Sequence, residues 1–259
     1  MKKVLLGMLL LLVSLTGYGG EKNIDEDLVL VEGRTFKNLD NKTITLDDFY
    51  IGKYEVTQAE YKEIMGYNNS YFKGSQKPVE RVTWYDAVMF CNKLSEKKGV
   101  AKYYTIIEVV KESSGSIKKA KVTKQGGKGY RLPTSNEWEY AASGGNKSRG
   151  YKYSGSNTIG DVAWYDKNAN DDEWKKPHAD KEGTQIVGIK QKNELGIYDM
   201  SGNVWEWCYD GHPSYIGSYR VLRGGSWLSY AYVCEVDGVD YDDPDRRGYV
   251  IGFRYASTK

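Results

Sequence analysis

The sequence is short of the side chains on which much enzyme and metal chemistry depends. Its 259 residues include two histidines, His178 and His212, and three cysteines, Cys91, Cys208 and Cys234. Two imidazoles exclude a histidine-rich metal centre and leave an imidazole-based triad without support. The cysteines contain no C-x-x-C pair, and an odd number in an exported chain leaves at least one thiol free. A charge excess is missing too: 37 Lys and Arg against 35 Asp and Glu give a net charge of +2, which excludes a basic footprint for nucleic acid. The apolar run from Val4 to Leu15 is short for a bilayer span.

Aromatic rings and glycines are plentiful, with 23 Tyr, 7 Trp and 29 Gly. That mixture suits a loop-rich surface on which rigid amphipathic rings are displayed. Apolar residues make up 40% of the chain and charged ones 28%, so a packed core is expected and global disorder is not. Residues 1–18 have the layout of a signal peptide: Lys2 and Lys3, then the apolar run, then polar Glu21-Lys22-Asn23 beyond it. Leu15-Thr16-Gly17 resembles the start of a lipobox, but the position of the lipidated cysteine is taken by Tyr18, which has no thiol to acylate. Residues 19–27 read as a polar tether, and 28–259 as one α+β domain with few helices, many short strands and a large irregular share.

Local signals place the elements. Thr57-Gln-Ala-Glu60 is a capping box opening a helix to about Met65. Thr83 precedes a run in which Trp84, Ala87, Cys91 and Leu94 share one helical face, with Gly99 ending it. Thr134 and Glu137 form another box after Pro133, and Gly144 supplies a stop. TIIEVV, SSGS and KKAKV, within 104–129, read as a hairpin. Residues 144–195 are rich in Gly, Asn, Asp and Lys and read as long ordered loops. Trp205 and Trp207 are spaced for one face of a strand and are expected in the core.

Six fragments then occur in order: YEVTQAEYKEIMG (54–66), PVERVTWYDAVMFCNKLS (78–95), YRLPTSNEWEYAASGG (130–145), GIYDMSGNVWEWCYD (196–210), RVLRGGSW (220–227) and GFRYA (252–256). Together they resemble the formylglycine-generating-enzyme domain, which implies a C-type-lectin-like fold over about 28–256. The resemblance also implies where oxidase chemistry would sit. Members with that activity carry two cysteines just after the RGGSW motif, which hold copper and pair with the substrate cysteine. Here those positions are Ser229 and Cys234. A hydroxyl is a poor ligand for a soft metal and forms no disulfide. No catalytic residue, cofactor or resident metal is therefore assigned. Calcium-binding members use an acid where Asp199 and Glu206 stand, and these two serve equally well as caps or ion-pair partners.

A narrower resemblance concerns 223–256. It is similar to the variable region of diversity-generating retroelement proteins, the variable surface lipoproteins of spirochaetes among them. In these, adenines of template asparagine codons are mutated while fixed residues hold the backbone. The fixed pattern is met by RGGSW, Ala231, Cys234, Val236, Pro244, Asp245, Arg247 and Gly252-Phe253-Arg254. The positions between are Leu228, Ser229, Tyr230, Tyr232, Val233, Gly238, Asp240, Tyr241, Asp242, Asp243, Arg246, Gly248, Tyr249, Val250 and Ile251. Every residue type here is reachable from an AAC codon by changing adenines alone, and none is Lys, Gln, Glu, Met or Trp, which are not. Glu235, Asp237 and Val239 in the same interval stay unassigned.

Physical reasoning points the same way. A face that tolerates many sequences must leave stability to the rest of the molecule. Tyr, Ser, Gly and Asp make an adaptable contact surface, and the acidic run Asp240–Asp245 favours a basic patch on the target. The expectation is a non-enzymatic binding protein displayed at the cell surface, its variable positions recognising a macromolecular ligand, a protein in class. No nucleic acid is expected as partner, and membrane contact only through a lipid anchor. Two alternatives stand beside it: a formylglycine-generating oxidase-like, sulfatase-modifying enzyme, and a structural envelope protein without a specific partner.

Overall fold

Each expected helix starts where a threonine hydroxyl accepts from an exposed amide. Thr57, Thr83 and Thr134 take the amides of Glu60, Asp86 and Glu137 at 3.2, 2.9 and 3.2 Å. They open α1 (Gln58–Met65), α2 (Trp84–Lys97) and α3 (Ser135–Ala142). At Thr83 and Thr134 the acid accepts from the cap amide in return, closing the box. At Thr57 only the first half forms, because the Glu60 carboxylate engages the Tyr255 hydroxyl instead. Gly66 at φ 86° ends α1 with its amide on the Lys62 carbonyl.

The computed structural model describes residues 27–38, 40–169, 182–214 and 219–259. The leader at 1–18, the tether up to residue 26 and His178 lie outside them. Twelve short strands follow in chain order: β1 (Leu28–Val31), β2 (Thr35–Lys37), β3 (Thr43–Thr45), β4 (Phe49–Gly52), β5 (Tyr104–Lys111), β6 (Ile117–Lys124), β7 (Tyr130–Arg131), β8 (Trp205–Gly211), β9 (Arg220–Arg223), β10 (Val239–Asp242), β11 (Ile251–Gly252) and β12 (Ala256–Thr258). β5 and β6 form the expected hairpin, and β2 pairs with β3. Within 144–195 the described residues hold only single turns of helix, at Gly145–Lys147, Ile159–Val162 and Asp166–Ala169.

Two four-stranded sheets organise the rest. The first has the order β1-β4-β12-β7, antiparallel throughout, so the C-terminal strand lies between β4 and β7. The second has the order β10-β9-β8-β11, with β11 parallel to β8. Trp84, Ala87, Cys91 and Leu94 of α2 are all fully buried, together with Trp207 and Phe253. Trp138 of α3 packs in a second cluster with Phe49, Ile51 and Met200. Three core indoles have a partner for their N–H: Trp84 donates to the Cys208 carbonyl at 2.9 Å, Trp207 to Val82 at 3.0 Å and Trp138 to Glu206 at 2.7 Å. Trp205 and Trp207 are core residues, as expected.

Candidate functional site: the framed C-terminal segment

The segment from 223 to 256 is held by residues expected to be fixed. Gly224 and Gly225 follow β9 at φ 91° and 75°, and a Cβ on Gly225 would lie 2.7 Å from the Cys234 sulfur. Only glycine meets both demands. Trp227 is buried, and its indole N–H donates to the Tyr249 carbonyl at 3.2 Å, closing the segment on itself. The Pro244 carbonyl accepts from the Trp84 amide at 3.0 Å. Cys234 and Phe253 are fully buried.

Three framework arginines fix the backbone. Arg223 pairs with Glu139 at 2.9 Å, donates to Ser135 Oγ at 2.9 Å, and reaches the carbonyls of Asp237 and Gly238 at 3.2 and 3.4 Å. Arg247 is bound to Glu112 and lies 3.3 and 3.4 Å from the hydroxyls of Ser114 and Ser116, in the connection between β5 and β6. Arg254 binds Glu206 with two bonds of 2.7 and 2.6 Å and donates to the carbonyls of Gly52 and Tyr198. Fork-shaped donors of this kind fix geometry as well as charge.

Among the positions expected to vary, Leu228, Tyr230, Tyr232, Asp240, Asp243, Arg246 and Tyr249 are exposed, and Ser229, Val233, Gly238, Tyr241, Asp242, Gly248 and Val250 are half-buried. Tyr230 and Tyr232 show 64% and 68% of their surface, more than packing alone explains, and stack on each other at 6.1 Å. Ile251 departs from the expectation of outward-facing side chains. It is 3% exposed and belongs to the main core, because β11 pairs with Trp205 and Glu206 of the interior strand β8.

The positions fall in two neighbourhoods. Tyr249 packs on Trp227, next to Leu228 in sequence, with ring centroids 5.9 Å apart. Asp240, Tyr241 and Asp242 lie on β10, the outer strand of its sheet, where Tyr241 meets His212 at 4.3 Å. The acidic run is not an isolated anionic patch. Arg246 stands 3.6 Å from Asp242, and Lys118 and Lys119 line the same open groove as Asp243 and Asp245.

Asp199 and Glu206 lie in a buried acidic group with Glu55. Both Glu206 oxygens are taken by Arg254, and one also accepts from Trp138, so the ion-pair role holds for this residue. Asp199 Oδ2 accepts from the Gly188 amide at 2.7 Å, while Oδ1 has no hydrogen bond among the described residues. Burial raises Asp199 to about 6. Burial and repulsion from Asp199 and Glu206 push Glu55 well above the usual carboxylate range, although it accepts from Asn203 and the Val204 amide.

The two positions equated with the oxidase dithiol do not suit copper. The Ser229 hydroxyl is bonded to Ser226, whose amide donates to it at 3.0 Å. The Cys234 thiol is pushed up to about 12 by burial, away from the thiolate that binds soft metals. Cys91 and Cys208 are also buried and unpaired, so no disulfide forms among the three.

Sequence reasoning missed the loop at Asn68–Gly74. The ring of Phe72 meets Trp227 at 5.2 Å, and the ring of Tyr71 meets Tyr249 at 6.3 Å. Tyr71 is 65% exposed beside a position expected to vary. No local pattern announces this neighbourhood, since its partners lie far along the chain.

Comparison with known proteins agrees with this architecture. The chain is 44% identical to the chaperone protein LppX of Paenibacillus barcinonensis over 258 residues, 93% of this chain and 92% of that one. In three dimensions it is similar to Treponema denticola variable protein 1, with a TM-score of 0.71, 32% identity, and coverage of 90% of this chain and 94% of that one. The crystal structure of CarF is similar at a TM-score of 0.70 and 27% identity, covering 90% and 98%. The fold is thus the C-type-lectin-like one expected of this scaffold. Residues 18–259 match the sulfatase-modifying factor enzyme 1-like domain, and the chain belongs to that family.

Proposed function

We propose that this chain is an exported, surface-displayed binding protein whose C-terminal segment, diversified by a retroelement, recognises a protein target. The observation that carries this is the division of labour within 223–256. Framework arginines, glycines and Trp227 hold the backbone, while every position expected to vary except Ile251 reaches solvent. Similarity to a variable protein of Treponema denticola supports it. So does a pair of exposed, mutually stacked tyrosines with no packing role, since rings of this kind supply contact area at low entropy cost. The chain is read as non-catalytic: Cys234 is buried and protonated, and Ser229 supplies no second thiol.

The test is genetic. A near-identical copy of the 3′ end of the gene, with adenines at the variable codons, is expected beside a reverse transcriptase, and further isolates should differ at those codons. Isolates differing uniformly along the chain would remove the proposal. Copper-dependent oxygen consumption with a cysteine peptide is expected to be absent, and turnover would restore the oxidase alternative.

A second reading is favoured by the 44% identity to a protein named as a chaperone: binding of an exported client by a surface that does not vary. It predicts that isolates keep Tyr230, Tyr232 and Tyr249 unchanged.

A further inference from the structure

We infer that Tyr71, outside the variable segment, is a constant contact residue of the binding surface, and that protein partners of different variants all pack a side chain against it beside position 249. This rests on the reading of the segment as a protein-binding face. The geometry begins with what holds the loop. Gln58, buried in α1, donates to the Phe72 carbonyl at 2.7 Å and accepts from the amides of Gly74 and the Asn68 side chain at 3.2 and 3.0 Å. Glu80, fully buried, accepts from the Phe72 amide at 2.8 Å, and its own backbone is bonded to Ser70 Oγ. Two interior side chains are thus spent on the backbone of a surface loop.

One of them is expensive. Glu80 Oε2 has no hydrogen-bond partner among the described residues, and burial raises the group to about 7. A buried, half-satisfied carboxylate is rare and asks for a reason. The core gains little from the loop: Phe72 covers Trp227, but Tyr71 is 65% exposed and touches Phe72 and Tyr249 edge-on or tilted. What the arrangement achieves is a solvent-facing ring on a loop whose backbone is held by buried side chains, 6.3 Å from a ring in the segment. Pre-positioned tyrosines are common anchors of protein interfaces, since little entropy is lost on contact.

The probes are peptides selected from a displayed random library on the full chain. Two further panels are selected on chains recoded at Tyr230, Tyr232 and Asp240. Tyr71→Ala is expected to weaken peptides from all three panels about tenfold or more, Tyr71→Phe to retain most binding, and Lys73→Ala in the same loop to change nothing. Loss in one panel or none, while Tyr249→Ala still weakens binding, would overturn the constant role and leave the binding face intact. Peptides indifferent to Tyr71, Tyr230 and Tyr249 alike would overturn both. Thermal unfolding midpoints of the variants, expected to match the parent, exclude loss of fold as the cause.

Discussion

Arg223 donates to the main-chain carbonyl of Asp237 at 3.2 Å, from a guanidinium that is itself paired with Glu139 on α3. A framework side chain thus grips the segment proposed to vary by its backbone, without using the side chains around the grip. The pair with Glu139 is shielded, the two side chains being 5% and 6% exposed. Arg223→Ala leaves Glu139 buried without its cation and frees the carbonyls of Asp237 and Gly238. A loss of about 3–5 kcal/mol is expected, read by urea unfolding. Arg223→Lys keeps the charge without the fork and should fall in between. A loss under about 1 kcal/mol for Arg223→Ala would mean that the segment is held elsewhere.

The exposed positions carry the converse expectation. Tyr230→Ser, Tyr232→Ser and Asp240→Asn should each change stability by no more than about 0.5 kcal/mol, because none of these side chains packs in the core. Ile251 should behave differently. Ile251→Val is expected to cost about 1 kcal/mol, and Ile251→Asp several, since an unpaired carboxylate would enter the core around Phe253. Among natural variants, position 251 should accordingly be confined to apolar types. Denaturation midpoints of the single variants decide the matter, and a folded chain with aspartate at 251 would refute the placement.

Which features were legible in the sequence follows from how far apart their partners lie. The capping box at Thr134 is written within four residues and formed, and the helix expected after Thr83 is opened by a box with Asp86 as well. The box at Thr57 was half right because Tyr255, at the other end of the chain, competes for Glu60. Exposure of the tyrosines was readable from the argument that a face tolerating many sequences must leave stability to the rest of the molecule. Burial of Ile251 depends on parallel pairing with Trp205, and the place of Tyr71 depends on Gln58, Glu80 and Trp227. Neither leaves a periodic trace. The acidic run likewise reads as uniform because Lys118 and Lys119, which line its groove, lie far from it along the chain.

Two buried carboxylates make stability fall with rising pH. Glu80 and Asp199 are raised by burial from ordinary values of 4.5 and 3.8 to about 7 and about 6. Each holds its proton more tightly folded than unfolded, so its contribution is fully present below its ordinary value and is lost as pH rises through the folded value. Glu137 works in the opposite sense. Burial opposes its charge, but its bonds to Arg131 prevail and lower it, which removes stability only in acid below its ordinary 4.5. Stability should therefore peak near pH 4, where the gain from Glu137 gives way to the losses from the raised groups, and decline towards pH 8, by on the order of 2 kcal/mol for each raised group. Urea midpoints across this range test it. Glu80→Gln should flatten the upper part of the slope, and an unchanged slope would show that Glu80 does not titrate there.

Arg247 offers a separate handle, on motion rather than on stability. It ties the late part of the C-terminal segment to Glu112, Ser114 and Ser116 in the hairpin connection, and both partners of the ion pair are partly exposed, at 22% and 34%. Arg247→Ala should cost no more than about 1 kcal/mol, as for other pairs open to water. Its effect should appear as faster amide exchange over residues 243–250, while residues 223–234, held through Trp227 and the glycine turn, keep their protection. The Pro244 carbonyl remains bonded to the Trp84 amide in either case, so the change is expected to be graded rather than complete. Uniform loss of protection along the whole segment would show instead that it is one cooperative unit, anchored as much by Arg247 as by the buried residues at its start.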